Sequence, residues 1–182
     1  MKLMIASDLH GSVHYCRLLL NAFRMEQADR LILLGDLLYH GPRNPLPRDY
    51  DTQTVAAMLN EVADKLLCVR GNCDADVDQL VLNFPILAEN AWIAADGATI
   101  FATHGHNLGP DNIPPLQPGS YLLCGHIHLP VCQKLGQIAY LNPGSTSLPK
   151  EGTPHSYMLF ESGVFSWYDL ETGIEFQPLD HM

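Results

Sequence analysis

Three short apolar runs early in the chain each stop at a turn that pairs a glycine with a side chain able to hold a cation or move a proton. Residues 2–7 end at Asp8-Leu9-His10-Gly11, residues 31–34 at Gly35-Asp36, and residues 66–69 at Gly71-Asn72-Cys73-Asp74. An apolar run of this length bounded by turn residues reads as a strand buried on both faces. Between the runs the spacing turns helical: Ser12 precedes Cys16, Leu19, Leu20 and Phe23, and Val55, Met58, Leu59 and Val62 mark a second helix. Strands alternating with helices predict a largely parallel sheet joined by crossovers. In such sheets, side chains just beyond the carboxyl ends of the strands converge on one crevice.

From about Ile86 the pattern changes to short strands at residues 91–95, 99–103, 121–124, 131–135, 138–141, 157–161 and 164–169. Asp96-Gly97, Leu135-Gly136-Gln137 and Ser162-Gly163 have the composition of hairpin turns. The fold predicted is α/β, a two-sheet sandwich flanked by helices, with residues 1–182 forming one domain. Residues 38–52 contain three prolines and two arginines, and residues 106–119 contain four prolines. Loops of this length in a compact domain are uncommon and often functional, so both are candidate walls of a site.

Ten basic residues against twenty acidic ones give a net charge of −10. That balance repels nucleic acid and anionic membranes, so stable nucleic-acid binding is not expected. No apolar run approaches the roughly 18 residues of a membrane span, and the start MKLMIASDLHG turns polar too soon for a signal-peptide core, which predicts a cytoplasmic protein. The five cysteines are odd in number and form no CxxC pair, so they read as reduced; Cys16, Cys68, Cys124 and Cys132 are taken for small buried hydrophobes. Association into a homo-oligomer is left open.

At the ends of the predicted strands stand seven oxygen or imidazole donors: Asp8, His10, Asp36, Asn72, His104, His126 and His128. Seven is too many for one tetrahedral ion with an open position and suits two cations sharing a bridging carboxylate. In an extended chain, residues two apart point the same way, so Asp8 with His10, and His126 with His128, would each present two donors together. Gly11, Gly35, Gly71, Gly105 and Gly125 beside them permit the tight or left-handed backbone that turns a strand end inward.

In order along the chain, Asp8-x-His10, Gly35-Asp36, Gly71-Asn72, His104 and Gly125-His126-x-His128 resemble the signature of the calcineurin-like metallophosphoesterases. Asn142-Pro143-Gly144-Ser145 resembles a further turn of that family, and Gly-Asn-Cys-Asp resembles its small bacterial phosphodiesterases. The resemblance implies hydrolysis of a phosphate ester, a small phosphodiester, by a hydroxide between two divalent metal ions. It implies that Asp8, His10 and His128 hold one ion, that Asn72, His104 and His126 hold the other, and that Asp36 bridges both. Asp36, Asn72 and His104 are assigned a catalytic role as well. Manganese is the ion the resemblance favours; mixed oxygen and imidazole donors also admit iron or zinc.

In many relatives a histidine after Gly-Asn protonates the leaving oxygen, whereas this chain has Cys73 there. His106 and His40 are the other candidates for that proton, and both join Arg43 as expected substrate contacts. Arg48 reads as a solvated loop residue, and Arg70 as either a phosphate donor or the partner of an acidic neighbour. Asp74 is expected to orient a ligand histidine or to cap the next helix. His14 and His155 read as surface or packing residues, and His181 as part of the tail. Two other readings stand beside the diesterase: a protein-binding scaffold of the same fold, as in a retromer-type subunit, and a phosphomonoesterase or nuclease.

Overall fold

The computed structural model describes residues 1–179, so His181 lies outside the described residues. Strands β1 (Leu3–Ala6), β2 (Arg30–Leu33) and β3 (Leu66–Cys68) lie parallel, as the alternation with α1 (Val13–Met25) and α2 (Thr52–Asn60) predicts. The same sheet also takes β9 (Ser156–Glu161), β10 (Val164–Asp169) and β11 (Glu175–Phe176), each pairing antiparallel with its neighbours, in the order β11-β10-β9-β1-β2-β3. It is therefore mixed rather than largely parallel. The second sheet, ordered β4-β5-β6-β8-β7, is built from β4 (Asn90–Ala95), β5 (Ala98–Thr103), β6 (Tyr121–Leu123), β7 (Pro130–Leu135) and β8 (Ile138–Pro143).

Alternation along the strands sorts the core into layers. Met4 and Ala6 of β1 and Leu31 and Leu33 of β2 face Leu19, Leu20 and Phe23 of α1 and Val55 and Leu59 of α2. Leu3, Ile5 and Ile32 face the other way and meet Ile100, Ala102, Leu123 and Leu141 of the second sheet. The outer face of that sheet carries no helix among the described residues; Leu108 and Leu116 of the second proline-rich loop pack on Phe101, Leu122 and Tyr140 instead. Helices thus cover one side of the sandwich and a loop covers the other.

The hairpins form where turn chemistry places them. Ala95 pairs with Ala98 across Asp96 (φ 46°) and Gly97 (φ 80°), and Glu161 pairs with Val164 across Ser162 (φ 52°) and Gly163 (φ 82°). Two successive left-handed residues give the turn whose twist matches that of the strands. Ser12 caps α1, its Oγ accepting from the Tyr15 amide, and Asp51 caps α2 by accepting from the amides of Gln53 and Thr54. Cys16, Cys68 and Cys124 are buried as expected, but Cys132 on β7 is exposed, because its position faces away from the core cluster that Val131 joins.

Candidate metal centre

The carboxyl ends of β1, β2, β3, β5 and β6 bring all seven sequence-predicted donors together. The Asp8 carboxylate is fully buried; its Oδ2 accepts from the His126 amide at 3.0 Å, and its Oδ1 lies 3.1 Å from His128 Nε2 and 3.6 Å from His10 Nε2. Asp36 is held in the same divided way. Its Oδ1 accepts from the Cys73 amide at 2.8 Å, while Oδ2 stands 3.7 Å from His10 Nε2 and 3.5 Å from His104 Nε2. On the far side, His104 Nε2 lies 3.0 Å from Asn72 Oδ1 and 3.3 Å from His126 Nδ1.

Backbone carbonyls fix which nitrogen of three imidazoles faces the centre. A carbonyl oxygen only accepts, so the Nδ1 atoms of His10, His104 and His128 donate to Tyr39 O at 2.8 Å, Leu34 O at 2.6 Å and Leu148 O at 2.7 Å. In the neutral ring that leaves a bare lone pair on each Nε2. His10 Nε2 and His128 Nε2 then meet at 3.2 Å, beside a carboxylate oxygen, Asp8 Oδ1, that has no hydrogen-bond partner despite being buried. Lone pairs pressed together in a buried space require a cation among them. This orphaned oxygen, together with the inward nitrogens, fits a divalent metal held by carboxylate, amide and imidazole groups, and ligand atoms of Asp8, His10 and His128, and of Asp8, Asp36 and His104, lie within 4.8 Å of one another.

In the metal-free protein, protons stand in for that cation. Burial opposes ionisation of Asp8, but His10 and His128, which donate to it once their Nε2 atoms carry a proton, and the charge on nearby imidazoles hold its carboxyl well below the usual range. Burial likewise opposes the charged form of His10, yet the hydrogen bond and charge of Asp8 raise it above an ordinary histidine. His126 and His106 move the other way, lowered by burial and by the neighbouring His104. Burial, followed by the charge of Asp36, pushes the Cys73 thiol up to about 12.

The backbone departs from the extended geometry expected of the paired donors. Asp8 (φ 58°), His10 (φ 49°), Asp36 (φ 56°), His126 (φ 71°) and His128 (φ 63°) all adopt the left-handed conformation themselves. A non-glycine residue there is strained and persists only where its surroundings over-determine it. Those surroundings are identifiable. Asp74, predicted to orient a histidine or cap a helix, does neither: its buried carboxylate accepts from the amides of Asp36, Leu37 and Gly71 at 2.8, 2.9 and 2.7 Å, tying the β2 turn to the β3 turn. Ser145 Oγ and Ser147 Oγ both donate to Asp8 O, and Asn142 Nδ2 donates to Gly125 O. Gly11, Gly35 and Gly105 have positive φ as expected, but Gly71 and Gly125 do not. Those two are glycines for lack of room, since a Cβ would overlap Asp36 at Gly71 and Ser7 Oγ at Gly125.

Around the donors opens a polar pocket of about 440 Å³ whose lining includes Asp36, Arg43, Asn72, Cys73, His126, His128 and Lys150. Arg43 and Lys150 are its cationic residues among those described. Lys150 escaped the sequence reading because it sits in no motif; its place is set by the loop between β8 and β9, where its amide donates to His128 O. His40 is not among the lining residues, its ring packing edge-on against Tyr39 and Tyr50. His106 adjoins His104, with ring centroids 5.4 Å apart, and faces a separate cavity on the far side of His126. Arg70 pairs with an acidic neighbour, Asp76, at 3.4 Å, and His155 stacks on Tyr15.

Residues 1–163 match the family model of the calcineurin-like phosphoesterase superfamily domain. The chain is 48% identical over 166 residues to phosphodiesterase YfcE of Escherichia coli strain K12, a match covering 91% of this chain and 90% of that protein. It superposes on the solved structure of YfcE, a phosphoesterase from E. coli, with a TM-score of 0.95 at 45% identity over 98% of each chain. An archaeal phosphodiesterase (TM-score 0.65, 17% identity, 97% of this chain and all of that one) and vacuolar protein sorting 29 from Cryptosporidium parvum (TM-score 0.64, 19% identity, 96% and 94%) share the fold.

Proposed function

The chain belongs to the calcineurin-like phosphoesterase superfamily, and from that premise we propose that it is a cytoplasmic phosphodiesterase for small diesters, with Asp8, His10, Asp36, Asn72, His104, His126 and His128 holding two divalent cations, manganese by preference. The observation that carries the reading is Asp36 Oδ2, which stands within 3.7 Å of imidazole nitrogens from both halves of the centre, His10 and His104. One carboxylate oxygen facing two groups of neutral donors is the arrangement of a bridging ligand.

When bound, a pair of divalent cations lowers the pKa of a coordinated water toward neutral and offsets the charge on phosphoryl oxygens. The protein supplies rigidity and position. Three imidazoles locked by backbone carbonyls present fixed lone pairs, so little reorganisation is needed on loading or reaction. Two carboxylates among seven donors leave an excess of positive charge against two dications, which suits an anionic substrate in an acidic protein. Arg43 and Lys150 add N–H donors at the pocket wall for the phosphoryl oxygens. Cys73 stands where many relatives have a histidine, and a diester whose leaving alcohol is itself acidic needs no proton from that position. Every donor position is filled by a competent ligand, which favours hydrolysis over the protein-scaffold reading.

The test is a rate comparison on bis(p-nitrophenyl) phosphate and p-nitrophenyl phosphate after chelation, with manganese, magnesium, zinc or nickel restored. Metal-dependent hydrolysis, faster on the diester and best with manganese, is expected. Faster hydrolysis of the monoester would overturn the diester preference, and inactivity on both with every metal would restore the scaffold reading.

A further inference from the structure

Beside the metal centre runs a second, larger groove of about 730 Å³ between α2 and the short 3-10 helix Asp76–Leu80. That size falls within the roughly 300–1,000 Å³ typical of small-molecule sites. Its walls are mostly apolar: Leu38, Tyr39, Tyr50, Ala57, Val77 and Val81. Tyr39, Val77 and Val81 are 42%, 66% and 51% exposed, a cluster of large side chains left open to water at one place. No lysine or arginine lines it, and its single charged residue is Asp78, whose Oδ2 already accepts from the Ala75 amide. The groove adjoins the reaction pocket at one residue, Cys73, which lines both and whose amide donates to Asp36.

The two spaces differ in chemistry in the way the two parts of a phosphodiester differ. The phosphoryl group is an anion and suits the pocket with Arg43, Lys150 and the donor cluster. An ester arm leaving the phosphorus past Cys73 enters a wall of rings and methyl groups with no cation to meet a second phosphate. Building on the phosphodiesterase reading, we propose that this groove binds one uncharged, aromatic or alkyl arm of the diester and thereby selects against phosphorylated and polynucleotide arms. Two tyrosine side chains and aliphatic ones would bury apolar area on such an arm, and Asp78 would repel an anionic one.

Ala57 is exposed on α2 and faces the groove, so Ala57→Phe fills it with a residue the helix accepts. With the metal-restored enzyme, Ala57→Phe is expected to raise KM for bis(p-nitrophenyl) phosphate about tenfold while leaving the inhibition constant of inorganic phosphate, which has no arm, within about twofold. Ala94→Phe, on an exposed position of β4, is the control and should change neither. In the chelated protein, benzyl alcohol should shift the amide resonances of Ala57, Val77 and Val81. An unchanged KM, an equal rise in KM and in the phosphate constant, or benzyl alcohol shifts confined elsewhere would overturn the proposal. If the wild-type enzyme hydrolyses no diester with any metal, the phosphodiesterase reading itself fails.

Discussion

Four of the donor residues, Asp8, His10, Asp36 and His128, combine two properties that rarely coincide, burial and left-handed backbone. Asp8 shows the consequence for stability. Its carboxyl is depressed in the folded, metal-free protein, so the folded state stays ionised where the unfolded chain binds a proton near pH 4. A depressed carboxyl stabilises the fold above its unfolded pKa, and that contribution is lost as pH falls toward the folded value. The urea midpoint of chelated protein is therefore expected to drop between pH 5 and pH 3, with a shallower drop in Asp8→Asn; identical slopes would show that Asp8 is not the group responsible. Cys73 lies beside Asp36, and in the metal-free protein burial and that carboxylate push its thiol up to about 12. Replacing it by serine keeps a small polar group there, and kcat on an activated diester should stay within about tenfold of wild type. A loss on the order of a thousandfold would make the thiol a catalytic residue. The seven donor positions were legible in the sequence because each lies in a turn that follows an apolar run and contains a glycine. Lys150 and the role of Asp74 were not, since both depend on which amides a folded loop presents.

At the level of elements, the strands and their hairpins follow from periodicity and turn residues, and β10 spans residues 164–169 as the pattern predicts. The pairing was less visible. Strands β9 and β10 carry no mark saying that they join the sheet of β1 rather than the neighbouring one; that follows from Met158 and Phe160 completing the core between the sheets. The turns that hold donors are fixed by close approach. Gly125 leaves no room for a Cβ against Ser7 Oγ, and one built there would also sit 3.0 Å from Asp8 Oδ2. Gly125→Ala should push the β6 turn away from the β1 turn, lowering unfolding free energy by about 2 kcal/mol and weakening metal retention. Denaturation and metal analysis of the purified variant check both, and wild-type stability with full metal content would contradict the packing argument.

For the molecule as a whole, two sheets packed face to face bring turns distant in sequence to one end, where an acidic chain concentrates imidazoles around two carboxylates. On the proposed function, the charge of −10 would act as a filter rather than an obstacle, with bound cations attracting a small anion locally while the remaining surface repels long polyanions. The central claim is that Asp36 joins two cation sites. Its most direct measurement is elemental analysis of wild-type and Asp36→Asn protein, chelated, reloaded with manganese and desalted, with turnover recorded on the same samples. The account predicts two ions per wild-type chain, and at most one with no measurable turnover in the variant. Two ions retained by Asp36→Asn, or full wild-type activity without a transition metal, would contradict it.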